Sequence, residues 1–132
     1  MKKLRPDLKV RAVRAIIAPI FGNDEEIFFK LLKYEEGGRY AIQAWSINRD
    51  DGEEWSEPYA MITVNLPHYE LPEPKVHGFY AFIDTNNCPW AEQVLFDTGI
   101  GIPTGKFRTS GFCNSPIHFI FVSNLKKYRC EI

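Results

Sequence analysis

Apolar and polar residues alternate along most of the chain, and this repeat of two predicts half-buried β-strands. The clearest segment is residues 58–66, where every second position is apolar, at Ala60, Ile62, Val64 and Leu66. Residues 39–48 carry apolar side chains on both faces, which predicts a central strand. The same reasoning predicts further strands over residues 27–34, 76–84, 106–113 and 117–122.

One segment departs from this alternation and has the spacing of a helix. Its apolar face would carry Trp90, Ala91, Val94, Leu95 and Thr98. Pro89 suits the first helical position, with Cys88 or Asn87 as the cap, and Gly99 suits the residue that ends the helix. We therefore predict one short helix over about residues 89–98.

The two ends and one internal connection are less regular. Residues 8–21 mix helical spacing with β-branched residues, and Pro19 favours a strand or a strand-like arm over a helix. Prolines make residues 68–75 a stiff, extended connection that is unsuited to a sheet interior. Residues 126–132 are expected to fray or to add a short edge strand.

These elements predict an α+β fold with a mostly antiparallel sheet of about six or seven strands and one short helix packed on it. The length of 132 residues fits one domain that spans residues 1–132. Residues 1–25 are expected to form an arm or a variable elaboration of that domain. The many aromatic residues agree with a fold rich in strands.

Charge and cysteine content narrow the setting of the protein. The net charge is −1, so the chain as a whole has no bias toward nucleic acid, although basic residues gather at both ends. No apolar run approaches the length of a membrane span. Three cysteines without framework spacing favour a reducing compartment, so we expect a cytoplasmic protein.

Cys88 is the strongest candidate for chemistry. A thiol at a helix N-terminus can have a lowered pKa, and a histidine with an orienting Asp84 or Asn86 would complete a nucleophilic site. The alternative is that Cys88 is a small buried residue and that the neighbouring Asn86 and Asn87 satisfy main-chain groups of the turn. The sequence favours this second interpretation, because no thiol-enzyme signature surrounds Cys88.

No cofactor or metal is expected from the remaining motifs. The glycine-rich segment that ends at Gly105 and Lys106 has three residues between its glycines where a phosphate-binding loop has four, and it follows a helix instead of preceding one. The three cysteines and three histidines show no pair at metal-ligand spacing.

Binding by surface side chains is the alternative to catalysis. The candidate binding residues are Trp55, Asp84, Asn86, Asn87 and Trp90. Trp55 lies in an acidic, turn-like segment where burial is hard to arrange, and tryptophan is enriched at interaction hot spots. The acidic run that precedes it suits either a solvated hairpin tip or a basic partner.

Four short motifs, taken in order, resemble a known family. They are Thr63-Val64-Asn65-Leu66-Pro67, Asp84-Thr85-Asn86-Asn87, Gly101-Ile102-Pro103-Thr104-Gly105 and Ser110-Gly111-Phe112. The family consists of small, functionally uncharacterised domains of gut-type bacteria, conjugative elements and phages, and the resemblance covers residues 39–121. It implies a mobile-element setting but no activity, cofactor or catalytic residue.

The leading hypothesis is therefore a non-enzymatic accessory protein that acts through protein–protein contact, directed at host defence. One alternative is a small enzyme that uses Cys88 or Asp84 in a pocket at the helix start. A second alternative is weak nucleic-acid binding through the basic termini. Homodimer formation through an edge strand stays open.

Overall fold

A computed structural model describes residues 14–132. In this part of the chain there are nine strands and two helices. In order they are β1 (Ile16–Ile20), β2 (Asn23–Lys33), β3 (Tyr40–Asp50), β4 (Glu53–Met61), β5 (Thr63–Val64), β6 (Gly78–Ile83), α1 (Ala91–Thr98), β7 (Gly101–Ser110), β8 (Cys113–Phe121), α2 (Val122–Leu125) and β9 (Cys130–Glu131).

The strands form two sheets. The first has the order β1-β2-β3-β4, with β9 beside β2, and the second has the order β5-β6-β8-β7. All neighbouring strands are antiparallel except β2 and β9, which are parallel. The predicted mostly antiparallel α+β class is thus confirmed, whereas the count of six or seven strands is too low. The observed count is higher because the short strand β9 is present and because the segment predicted as one strand over residues 58–66 divides into β4 and β5.

That division occurs at Ile62. Its N–H donates to the carbonyl of Ile42 in the first sheet (3.0 Å), and its carbonyl accepts from the N–H of Asp84 beside the second (2.8 Å). The segment over residues 58–66 therefore changes hydrogen-bonding partners at one buried residue and becomes β4 and β5. The alternation of apolar and polar residues continues through Ile62, which is why the sequence pattern predicted a single strand.

The main core lies between the sheets and draws from both of them. Its fully buried side chains include Phe29 and Ile42 from the first sheet, Ile83 and Ile120 from the second, and Leu95 from α1. The helix contacts β1 of the first sheet and β7 of the second. It is therefore a second connection between the sheets, in addition to the one at Ile62. Burial of these apolar surfaces is the main favourable term in the stability of the fold.

The helix differs from its prediction at one end. Gly99 ends α1 with a left-handed φ of 71°, as predicted, and the buried face is Ala91, Val94 and Leu95. The start is wrong: α1 begins at Ala91 with Trp90 as N-cap, without a side-chain cap. Pro89 and the two proposed caps, Asn87 and Cys88, belong to the preceding turn. Asn87 and Cys88 donate hydrogen bonds to Asp84 within that turn.

Other boundaries also moved. β7 begins at Gly101, so the glycine-rich segment that was expected to be a loop is part of a strand, with a register irregularity between Pro103 and Phe107. The short α2 was not predicted. The C-terminal edge strand was one of two stated alternatives, and it occurs as β9.

At the N-terminal side, residues 16–25 form β1 and the start of β2 within the first sheet. Residues 16–20 are strand, in agreement with the interpretation favoured for residues 8–21. The rest of the predicted arm, residues 1–13, lies outside the described residues.

One end of the first sheet has an inner face that is open to solvent. The β1–β2 and β3–β4 turns both lie at this end, because the strand order is sequential and antiparallel. Near these two turns, the inward-facing Asn23 and Glu25 are exposed, and Ser46 and Asn48 are half-buried. The inner face of the first sheet is therefore not fully covered there.

Candidate binding site

The turn that leads into α1 is closed by its own side chains. The main-chain N–H and side-chain amide of Asn87 donate to the two carboxylate oxygens of Asp84 (3.1 and 2.8 Å), and the N–H of Cys88 donates to the carbonyl of Asp84 (2.8 Å). Asn86 is exposed. The carboxylate of Asp84 thus accepts a main-chain amide of the turn, a role that the second interpretation of the sequence had given to the side chains of Asn86 and Asn87.

Cys88 is buried within this turn. Only 1% of the residue is exposed, and its thiol lies 3.5 Å from the carbonyl oxygen of Met61. Burial, together with the negative charge of Asp84, raises the pKa of the thiol to about 11. The geometry supports a packing role for Cys88 and argues against an activated nucleophile, which requires a lowered pKa.

The groups proposed to assist Cys88 have other partners. His118 is the buried histidine, and its Nε2 lies 2.7 Å from a carboxylate oxygen of Glu92 on α1. His68 stacks against Tyr69. The hypothesis of a cysteine–histidine pair therefore finds no support in the arrangement of these side chains.

Trp90 connects this turn to β4. Its ring is buried and lies 6.3 Å from the ring of Tyr59, centroid to centroid. Tyr59 is the extra residue at a register shift between β3 and β4, where Pro58 is opposite Trp45 and Ala60 is opposite Ala44. A bulge of this kind re-aims a side chain. Trp90 thus supports a Tyr59 ring that is 43% exposed.

Tyr59 borders a groove of about 290 Å³ on the inner face of the first sheet, near the β1–β2 and β3–β4 turns. We call this the tip groove. Above a floor of Ile20 and Ile27, it is lined by Phe21, Asn23, Glu25, Ser46, Asn48 and Tyr59. Its volume is close to the lower end of the range for ligand pockets. The lining combines two aromatic rings with amide, hydroxyl and carboxylate groups.

Trp55 lies beside the tip groove. It is directly opposite Asn48 in the β3–β4 ladder, so both side chains occupy the same face of the sheet. The residue is 45% exposed. Of the five predicted binding residues, Trp55 is therefore at the surface near the groove, Trp90 supports the groove from below, and Asp84, Asn86 and Asn87 form the adjoining turn.

Phe21 reaches the groove at a conformational cost. Phe21 and Gly22 connect β1 and β2 with φ angles of 50° and 82°, both in the left-handed region. The β3–β4 connection has the same form, with Asp51 at 52° and Gly52 at 79°. Asn, Asp or Gly is preferred at the first position of such turns, and an aromatic residue is strained there. Yet Phe21 is 79% exposed, so core packing does not explain it.

The polar groups of the groove retain hydrogen-bonding capacity. The side-chain nitrogen of Asn48 lies 3.5 Å from the hydroxyl of Ser46, which lies 3.5 Å from the carbonyl of Glu57. Both distances are at the limit of hydrogen bonding. These groups are therefore available to a ligand.

Near the β1–β2 and β3–β4 turns, the two faces of the first sheet differ in their ion pairs. On the outer face, Arg49 pairs with Glu26 and, at 3.1 Å, with Glu54, which is also 3.3 Å from Arg129. The hydrogen bond from Arg49 lowers the pKa of the Glu26 carboxyl, and the same contact raises the pKa of Arg49.

The other carboxylates near the two turns have no such compensation. They are Asp24, Glu25, Asp50, Asp51, Glu53 and Glu57, and none forms an ion pair with a basic group of residues 14–132. Because the whole chain has a net charge of only −1, this end is a local concentration of negative charge.

Two further observations concern cofactors and membranes. Within residues 14–132, no cluster of three or more histidine, cysteine or acidic residues is arranged to hold a metal ion. No helix in the same range has the length and apolar character needed to cross a membrane.

The sequence interpretation missed Phe21, Asn23, Glu25, Ser46 and Asn48. A local signal for Phe21 was present, because an aromatic residue precedes Gly22 at a turn position where Asn or Asp is usual. The others line the groove because the inner face of the first sheet is open near the two turns, which a single strand pattern does not indicate.

Comparison with known proteins places the fold in a family. Residues 28–131 match the family described as "Domain of unknown function (DUF4313)". The chain belongs to this family. No curated protein and no solved structure matches the chain. The DUF4313 match includes β3, β4, the turn before α1 and part of β2, so Ser46, Asn48 and Tyr59 of the tip groove lie within the family domain. The other groove residues precede it; they are Ile20, Phe21, Asn23, Glu25 and Ile27.

Proposed function

We propose that this protein is a non-enzymatic binding protein that acts through protein–protein contact at the tip groove and the adjacent Trp55. The observation that carries the proposal is the gathering of three exposed aromatic rings, Phe21, Trp55 and Tyr59, around one groove. Exposed aromatic side chains with nearby polar groups are typical of interaction hot spots.

The edge of the first sheet adds to this surface. Among the described residues, β4 pairs only with β3, so its other edge is available to a partner. Pro58 and the charged Glu53 and Glu57 interrupt that edge, and such residues suppress indiscriminate strand pairing. The surface therefore favours a partner selected by side chains over self-association along the edge, which makes a homodimer the less favoured arrangement.

The setting of this interaction is part of the same proposal. The sequence resemblance implies a mobile element, and an accessory protein encoded there would act in the cytoplasm on host defence. The enzyme alternative loses support because the thiol of Cys88 is buried with a raised pKa. The negative charge around the groove disfavours binding of nucleic acid at that surface. The basic N-terminal residues on which the nucleic-acid alternative depends lie, apart from Arg14, outside the described residues.

The test is affinity capture from nuclease-treated host lysate with matched variants. Tagged wild-type protein is compared with Trp55→Ala and with Phe107→Ala, an exposed aromatic position on β7 of the other sheet. The proposal predicts a stoichiometric partner that is lost with Trp55→Ala and retained with Phe107→Ala. Capture of the same proteins by all three forms would overturn it.

A further inference from the structure

We propose that the tip groove takes a basic side chain, an arginine or a lysine, presented by the partner protein. This inference rests on the proposed function, because it assigns the chemistry of the group that enters the contact surface. The argument uses the lining of the groove, the charge around it and the position of Phe21.

The lining of the groove suits a cation. The rings of Phe21 and Tyr59 border it, and a positively charged group is attracted to the face of an aromatic ring. Glu25 supplies a carboxylate, and Asn23 and Asn48 supply amide oxygens that accept hydrogen bonds from guanidinium or ammonium groups. No lysine or arginine is among the lining residues within the described range, so a cation meets no like charge there.

The floor of the groove offers side chains to a ligand. It is the face of the sheet formed by β1, β2 and β3, whose inward-facing residues pair across antiparallel ladders. The main-chain groups that join β1 to β2 and β2 to β3 are occupied by one another, and the free edge of β4 lies outside this floor. A single projecting side chain of a partner fits this floor better than an added β-strand.

Charge complementarity selects the class of occupant. Six carboxylates around the two turns lack ion pairs with residues 14–132, whereas the outer-face carboxylates Glu26 and Glu54 are paired with arginines. Except for Asp24, which lies on the same face as Glu26, this uncompensated charge is at the two turns or on the groove side of the sheet. It attracts a basic segment over about a Debye length, roughly 8–10 Å at physiological ionic strength, and accelerates its association.

The position of Phe21 agrees with this assignment. The chain places an aromatic ring at a turn position that favours Asn or Asp, and the ring is largely exposed beside the groove. Backbone strain of this kind is found at functional sites, where the position of the side chain compensates for it.

The experiment is a titration of the ¹⁵N-labelled full-length chain with a short blocked glycine–arginine repeat peptide, followed by NMR. Matched peptides contain lysine, to separate guanidinium from ammonium recognition, or citrulline, which keeps the shape of arginine without its charge. We expect shift changes concentrated at Asn23, Glu25, Asn48 and Tyr59, binding by the arginine or the lysine peptide or by both, and none by the citrulline peptide.

Three variants locate the site. Tyr59→Leu keeps apolar cover over Trp90 but removes the aromatic face, and we expect about two- to thirtyfold weaker peptide binding, the usual range for loss of a cation–π contact. Tyr59→Phe keeps that face and should restore binding to near the wild-type level. Glu25→Gln should weaken binding, whereas Glu73→Gln, in the distant connection between β5 and β6, should not.

Two results would overturn the inference. Equal binding of the arginine and citrulline peptides would exclude a cation site, and equal binding by wild type and Tyr59→Leu would show attraction to the acidic surface without use of the groove. If no peptide binds but protein capture still depends on Trp55, the proposed function stands and the basic occupant is wrong. If capture is insensitive to Trp55, the proposed function itself fails.

Discussion

Alkylation of Cys88 gives a direct test of the contrast between packing and catalysis. With the ordinary pKa of 9.0, about 3% of a thiol is ionised at about pH 7.5, whereas a pKa of about 11 leaves about 0.03%. A more basic thiolate is intrinsically more nucleophilic, so the rate constant of the ionised form rises by about eightfold. The net effect of the pKa is therefore about a tenfold reduction in rate.

Burial lowers the rate further. Only 1% of Cys88 is exposed, so iodoacetamide reaches the sulfur only after local opening of the turn and β4. Cys113, at the partly exposed start of β8, is the internal reference. We expect Cys88 to react at least about tenfold more slowly than Cys113 in the folded protein, and both to react at similar rates in urea.

The assay is a time course of alkylation followed by digestion and mass spectrometry. Its urea arm shows whether the difference comes from the fold and not from the local sequence. If Cys88 in the folded protein reacts as fast as Cys113, or faster, the inference that Cys88 is a packing residue is wrong. The enzyme alternative would then regain support.

Three further predictions concern stability. Gly78→Ala would place a Cβ 1.8 Å from a main-chain oxygen of β8, so we expect the free energy of unfolding, measured in urea, to fall by at least about 3 kcal/mol. The control Gly101→Ala would meet only side chains, at 3.1 Å and beyond, and should lower it by less. Trp90→Ala removes a buried ring and should cost about 3–5 kcal/mol, measured in the same way. The lowered pKa of Glu26 beside Arg49 contributes stability above its ordinary value of 4.5 that is lost as the pH falls through the folded pKa. Because this pair is exposed, we expect Arg49→Gln to make that acid-range loss of stability smaller, and added salt to have the same effect.

β2, β3 and the second half of β4 were predictable because their side chains alternate and their turns contain glycine, whereas residues 53–57 of β4 were predicted to be turn-like. β3 carried apolar residues on both faces and is indeed central in its sheet. The break at Ile62 was not predictable, since a change of hydrogen-bonding partner leaves the alternation intact. The burial of Cys88 likewise depends on the approach of Met61, which is distant in sequence.

The candidate site was predictable only in part. Trp55 was singled out because an acidic turn offers little cover for an indole ring. The turn-like setting was wrong, because Trp55 lies within β4, but the residue is 45% exposed. Trp90 was chosen as a binding residue but is buried beneath Tyr59, because the turn before α1 folds against β4. The groove itself arises where side chains of β1, β2, β3 and β4 meet at one end of the sheet, a tertiary property that periodicity does not encode.

Site-specific photo-crosslinking in the host tests the central claim most directly. A benzophenone amino acid replaces Trp55 in one form of the protein and Phe112, at the exposed β7–β8 turn, in the other. The proposed contact surface predicts a discrete higher-mass product from position 55 and none from position 112. Identical crosslinking patterns at the two positions, or no product at position 55, would contradict it.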